Sequence, residues 1–264
     1  MNVIDFVNNI YKKQYKELPI THQIKQDIIN RGLDVNNDCY GYAGSNFEVK
    51  KACIRAGFKD KDLQEAGLLN KSNNILFYNR LMFDIKSVDG DTIAFTGRDY
   101  NNPDKYGKYM NSMSSIYYDK GDGFYNMDKV DFNNKNFFVV EGLFDVIAMN
   151  EKGYDNVLAS CGTGITQSQI NQLYLLADDI TFVLDGDEAG VNAVKKVYEN
   201  FPEIRDKSNV VILPDGKDPC EYLKDNDKLP DKVKMKEYFK EDKSIENNIL
   251  SKIKEERSER YESR

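Results

Sequence analysis

The chain has 264 residues, enough to bury at least one proper core, with a formal net charge of −7 from 37 basic and 44 acidic side chains. That balance argues against a protein that coats nucleic acid through bulk charge, while leaving room for local basic tracks beside an acidic site. Trp is absent and His22 is the sole histidine, so a multi-histidine zinc site is excluded, and a Ser-His-Asp triad would have to use His22. Cys39, Cys53, Cys161 and Cys220 are scattered with no C-x-x-C, which speaks against a zinc ribbon and for buried thiols in a reduced, cytoplasmic protein. The amino terminus MNVIDFVNNIYKKQ lacks a signal-peptide pattern and no window approaches a membrane span, so no membrane partner is expected.

From Val3 to Leu69 apolar residues fall at helical spacing, which predicts a small, mostly helical lobe with Gly32 as a helix stop. Residues 74 to 130 read as β-rich. Strand-like runs flank VDGDT, whose Asp89-Gly90 is a hairpin signal. This segment carries Arg80, Lys86, Arg98, Lys105, Lys108 and Lys120 among several tyrosines, a track on which a single-stranded backbone could lie with rings available for base stacking. Solvated surface is the commoner use of each base taken singly, and Arg80 stands out because it lies inside an otherwise apolar strand.

The pattern then alternates: NFFVV, NVLASCG, ITFVLD and NVVILPDG read as strands, with amphipathic helices between them and Thr166/Gln169 as a capping box. Short, nearly all-apolar strands separated by helices mean an α/β fold with a parallel sheet covered on both faces. The carboxyl terminus places Ile245, Ile249 and Ile253 on one helical face before dissolving into charge. The expected organisation is a helical and β-rich basic subdomain at 1–130, an α/β subdomain at 131–225 and a short helical segment at 226–264.

Ligands of open parallel sheets bind beyond the carboxyl ends of the strands. Glu141 follows NFFVV, Asp185 ends ITFVLD, and Asp215 with Asp218 follows NVVIL. Asp145, four residues after Glu141, shares a helix face with the site and is expected among its metal ligands, and Asp187 opens the next helix. An isolated Asp-x-Asp at such a junction is usually just a capped helix start. Here three strands deliver carboxylates to one edge, where like charges repel unless a cation neutralises them, and hard oxygen ligands without Cys or His select Mg²⁺ or Mn²⁺. An EF-hand fails because Lys196 stands where a bidentate Glu is needed, and no Gly-Lys-Ser/Thr completes a phosphate loop in CGTGITQS.

VVEGLFDVIAM, FVLDGDEAG and LPDGKDPCEYL together resemble the Toprim module shared by primases, topoisomerases and certain nucleases. Upstream, YNRLMFDIKSVDGDTIAFTGR, KYMNS, YDKG and FYNM resemble the basic β-rich subdomain of DnaG-type primases, so that the likeness runs from about residue 25 to 225. The resemblance implies a Toprim-type fold and the activity of a DNA-directed RNA polymerase that makes short RNA primers on single-stranded DNA from ribonucleoside triphosphates. It implies that Glu141 is a metal ligand or general base, that Asp185 and Asp187 hold divalent ions with Asp218 assisting, and that Arg80, Arg98 and Lys108 contact DNA or nucleotide phosphates. Cys220 departs from it where an acid is expected. The zinc module usual in that family has no counterpart in the cysteine spacing, which implies a zinc module supplied on another polypeptide, or the replicative helicase, as a partner, and suits a phage or mobile element. A Toprim nuclease or RNA maturase would use the same acids to cleave, and a non-catalytic binding scaffold would keep the fold without needing them.

Overall fold

The computed structural model describes residues 1–161, 164–214 and 216–239, excepting the side chains of residues 105 and 106. Helix α1 (Val3–Glu17) starts at Asn2, whose side chain accepts from Asp5 N at 2.8 Å, and buries Val3, Ile4, Val7, Tyr11 and Tyr15 along one stripe. Helix α2 (Gln23–Asn30) stops as expected at Gly32 (φ +78°), where Gly32 N donates to Ile29 O and Leu33 N to Ile28 O. Then come β1 (Tyr40–Ala43), α3 (Asn46–Arg55), α4 (Asp60–Glu65), β2 (Arg80–Lys86), β3 (Thr92–Asp99), α5 (Pro103–Tyr106) and β4 (Tyr109–Asn111). The four strands form an antiparallel sheet in the order β1-β2-β3-β4. The β2–β3 turn closes through Ser87 N to Asp91 O, with Gly90 at φ +88°.

One expectation is corrected here. The amino-terminal helices are not a lobe of their own, because Tyr40–Ala43 pairs with β2 and turns them into a layer on this sheet. Four residues are too short a run for alternation to register against helical neighbours. The two faces of the sheet have different tasks. Met82 and Phe95 pack with Val7 and Tyr11 of α1, while Leu81 and Phe83 on the opposite face join the core that contains Val140 and Phe144. Fully burying a Phe such as Phe83 is worth ~1.5–3 kcal/mol, so this shared core ties the first sheet firmly to the second.

The second half runs β5 (Asn136–Val140), α6 (Leu143–Glu151), β6 (Val157–Ala159), α7 (Gln167–Leu176), β7 (Asp179–Leu184), α8 (Glu188–Asn200), β8 (Ser208–Ile212), α9 (Pro219–Asp225) and β9 (Val233–Lys234). The sheet order is β6-β5-β7-β8-β9, with β5, β6, β7 and β8 parallel and β9 antiparallel to β8. Helices α6 and α9 cover the face that meets the first sheet, and α7 and α8 cover the other. Thr166 and Gln169 form the expected capping box at α7. Strand β9 is an addition: the segment after residue 225 was expected to be helical throughout, and its first part instead extends the sheet. The stripe Ile245, Ile249, Ile253 lies outside the described residues. Among those described, no helix is long and apolar enough to cross a membrane.

Candidate active site

Strands β5 and β7 are neighbours, yet their following helices leave toward opposite faces of the sheet. Such a reversal opens a crevice at the strands' carboxyl ends. Glu141 follows β5 on one side of it and Asp185 follows β7 on the other. Gly186 draws in a third acid. Its N–H donates to Lys217 O at 3.0 Å, and a Cβ there would lie 2.1 Å from Leu213 O, so only glycine lets the turn after β7 press against the loop after β8 that carries Asp218. Gly190, whose Cβ would lie 2.3 Å from Asp185 O, seats the first turn of α8 equally close.

Asp187 caps α8, accepting from Gly190 N at 2.8 Å, and Asp218 caps α9, accepting from Glu221 N at 2.6 Å. Each cap uses one carboxylate oxygen, so the capping role and a place in the acidic site are compatible. The carboxylates feel one another. Burial, then the charges of Glu141, Asp218, Asp187 and Glu221, push the Asp185 carboxyl up to about 6. Burial and Asp187 raise Glu141. Among the described residues none of Glu141, Asp185, Asp187 and Asp218 is in an ion pair with a lysine or arginine. Nor, among those residues, are three or more His, Cys, Asp or Glu side chains already gathered as a cage. An all-oxygen, mutually repelling and un-neutralised set of this kind fits a hard divalent cation, whose arrival would remove the repulsion. Asp215 lies outside the described residues.

Asp145 differs from the expectation of a metal ligand. It is 5 % exposed and spends both oxygens on backbone amides, Oδ2 on Gly142 N at 3.0 Å and Oδ1 on Cys220 N at 3.2 Å. It braces the start of α6 against the start of α9, and burial together with Asp218 and Asp185 drives its pKa well upward. Cys220, the departure from the acidic pattern, is buried behind that brace.

The basic residues divide. Arg80 is corrected: its guanidinium is buried, donates to Gly97 O at 3.1 Å and pairs with Asp99 at 3.1 Å, because the register sets Arg80 opposite Asp99 on the helix-covered face of the sheet. Lys86 stands apart from the acids of the sheet edge. Beyond a register shift at Ile85/Lys86 it pairs with Asp128 at 3.5 Å and Asp84 at 3.8 Å, and it lines a cavity of about 390 Å³ with Lys12 and Lys129, away from the acids. Arg98, one residue before Asp99, faces the other way and lies 5.2 Å over the ring of Phe144, the neighbour of Asp145. Lys108, just before β4, and Lys120 are exposed. Asn111 at the end of β4 donates to Cys161 O beyond β6, and Lys120 acts electrostatically on Cys161, so the end of β4 and Lys120 border the carboxyl edge of the second sheet, while Lys108 lies at the other end of β4 beside Asp99. The side chain of Lys105 lies outside the described residues.

Sequence reasoning missed Asp27, Arg31 and Tyr100. Arg31 lies 4.5 Å over Phe144 and is bonded through Nε to Asp27 at 2.9 Å, and Tyr100 OH donates to the same carboxylate oxygen at 2.7 Å. Arg31 reads in sequence as a helix-terminal base and Tyr100 as one tyrosine among several, so no local signal links them.

Acids at successive strand ends of this switch-point sheet define a Toprim protein, and residues 138–223 match the Toprim-like family. Residues 21–131 match the DNA primase catalytic core, N-terminal domain. The chain belongs to the DnaG-type primase catalytic cores. It is 28 % identical over 236 residues to a DNA primase of Rickettsia prowazekii, covering 86 % of this chain and 39 % of that protein. A DNA primase domain from Pseudomonas aeruginosa superposes with a TM-score of 0.79 at 27 % identity, over 92 % of this chain and 82 % of that one. A DnaG primase catalytic domain bound to single-stranded DNA gives a TM-score of 0.70 at 27 % identity, over 85 % and 74 % of the two chains. The chain therefore spans well under half the length of the curated relative it matches.

Proposed function

We propose that this chain is the polymerising core of a primase, joining ribonucleotides into short RNA primers on single-stranded DNA. The observation that carries the reading is the gathering of Glu141, Asp185, Asp187 and Asp218 at one sheet edge with no lysine or arginine paired to them among the described residues, and Arg98 over Phe144 on the helix that leaves this edge supports it. Nucleotidyl transfer needs a 3′-hydroxyl brought in line with an α-phosphate and a pyrophosphate leaving group whose charge is compensated. Mg²⁺ or Mn²⁺, held by Glu141, Asp185 and Asp187 with Asp218 assisting, would supply that compensation.

The residues of the chain supply the rest. Gly186 and Gly190 keep the Asp185–Asp187 turn pressed against its neighbours, so the acids need little reorganisation when charge develops. Asp145 fixes the frame. Glu141, with its raised pKa, is placed to ligate or to take a proton. Arg98 and the two lysines hold phosphates of template or nucleotide, as backbone contacts that position without reading bases. The DNA-bound relative is consistent with a single-stranded template. The two sheets support the proposed division near residue 130, with the second unit running past residue 225 to include β9, and the likeness to DNA primases supports a cytoplasmic location.

Incubating the protein with single-stranded DNA, labelled ribonucleotides and Mg²⁺ or Mn²⁺ tests the proposal. Extension products are expected. Degradation of the DNA without extension would instead show a Toprim nuclease.

A further inference from the structure

Five side chains close a ring around the entrance to α6. Asp27 Oδ2 accepts from Arg31 Nε and from Tyr100 OH. Arg31 lies over one aromatic neighbour, Phe144, at 4.5 Å, and Arg98 lies over the same ring at 5.2 Å. Arg98 is also 5.2 Å from the Tyr100 ring, which returns the circuit to Asp27. The ring joins α2, β3 and α6, three elements from both halves of the molecule, and Phe144 immediately precedes the brace residue Asp145.

Arg98 is held in an unusual way. Three aromatic faces surround its guanidinium, those of Tyr100, Phe144 and Tyr109, the last at 5.6 Å, and among the described residues its one hydrogen bond to a side chain is from Nη1 to Tyr109 OH at 3.0 Å. Stacking fixes the plane of a guanidinium but uses none of its N–H groups, which lie in that plane. Arg98 Nε is buried with no hydrogen-bond partner among the described residues. Nη2 makes no hydrogen bond among the described residues and is not enclosed as Nε is, so the outer edge of the fork is left for a charged acceptor such as a phosphate oxygen.

We propose that Asp27 and Tyr100 are positioning residues for Arg98: through the Tyr100 hydroxyl, Asp27 sets the ring on which Arg98 stacks, and so aims the open donors of Arg98 at a phosphate group beside the carboxylate edge. Arg31, neutralised by Asp27, closes the circuit at Phe144 and keeps α6 in register with it. The phosphate belongs either to the template backbone or to an incoming nucleoside triphosphate. This inference rests on the polymerase reading for its second source only, since the first can be measured as binding.

The test uses Tyr100→Phe, which deletes the hydroxyl and keeps the ring, and Asp27→Asn, with Arg98→Ala as reference. Binding of a fluorescent single-stranded DNA without nucleotides reports the template arm, and the KM for ribonucleotides reports the nucleotide arm. Tyr100→Phe and Asp27→Asn are expected to weaken one arm by roughly three- to ten-fold with kcat within about twofold of the parent. Tyr100→Phe should add nothing in an Arg98→Ala background, which a purely structural tyrosine would not show. The inference is overturned if Tyr100→Phe, folded by thermal melt, leaves both arms at parent values, or if its effect adds in full to that of Arg98→Ala. A parent protein that makes no primer defeats the polymerase reading alone, because the DNA-binding arm still decides this one.

Discussion

Arg80 and Asp99 stand directly opposite each other across the β2–β3 register, Nη2 to Oδ2 at 3.1 Å, with both side chains at least nine-tenths buried. Burial lowers the arginine's pKa while Asp99 raises it, the signature of a charge kept in place by its partner. Removing one member of such a pair strands the other. Arg80→Ala is therefore expected to cost about 3–5 kcal/mol in denaturant unfolding, with the Asp99 carboxylate left uncompensated. In protein that remains folded at low temperature, the salt dependence of single-stranded DNA binding should keep the parent slope. A flattened slope at unchanged stability would return Arg80 to the DNA-contacting set.

That pair shows where sequence reading stops. The convergence of Glu141, Asp185 and Asp218 was legible because each follows an apolar run that can only be a buried strand, and topology then places the strands' carboxyl ends together. The sequence singled out Arg80 over Arg98, the reverse of their placement, because which face of a strand a side chain takes depends on a register that one residue of slip inverts. Here the inversion decides everything: Asp99 and Arg80 share the sheet face of Met82, which α1 covers, and Arg98 turns toward Phe144. The ring of Asp27, Arg31 and Tyr100 was illegible for a related reason, since its members meet through tertiary packing and carry no shared spacing. Strand β1 was hidden by its length.

Gly186 offers a test of how the acids are gathered. A methyl at this position would lie 2.1 Å from a backbone carbonyl oxygen, an overlap that no rotamer relieves. Gly186→Ala should push the turn after β7 away from the loop after β8, at a cost of about 1–3 kcal/mol, and weaken divalent-cation binding measured by calorimetry. A variant that binds Mn²⁺ as the parent does would show that Asp218 is not needed near Asp185.

The Asp185 carboxyl gives a pH signature with a definite sign. Its pKa in the folded protein is about 6, above the roughly 3.9 of an unfolded aspartate. The folded state thus holds the proton more tightly, and the associated stability is complete below about 3.9 and is lost as pH rises through about 6. Asp185→Asn removes this term. In chelator, the variant should melt higher than the parent at pH 7.5 by more than it does at pH 5, while losing primer synthesis at every pH, and Asp187→Asn should lose synthesis likewise. An Asp185→Asn protein with parental activity would sink the assignment of the metal site, and a melting difference that does not grow with pH would sink the electrostatic account of it.

The lysines separate a track from a surface. Lys108 and Lys120 are exposed and make no ion pair among the described residues, so truncating either should change stability by less than about 0.5 kcal/mol. Lys120 borders the carboxyl edge of the second sheet, and Lys108 directly precedes β4, whose far end reaches it. A DNA phosphate that no longer meets a lysine keeps its condensed counterion on binding, so Lys108→Ala and Lys120→Ala should each flatten the log–log salt dependence of single-stranded DNA binding by roughly 0.7–1. Lys86, bound to Asp84 and Asp128 at a different cavity, serves as the internal control: Lys86→Ala should leave that slope alone. Equal slopes for all three variants and the parent would mean that template binding runs through some other face, whereas a flattened slope for Lys86→Ala would extend the track around the sheet to the cavity it lines.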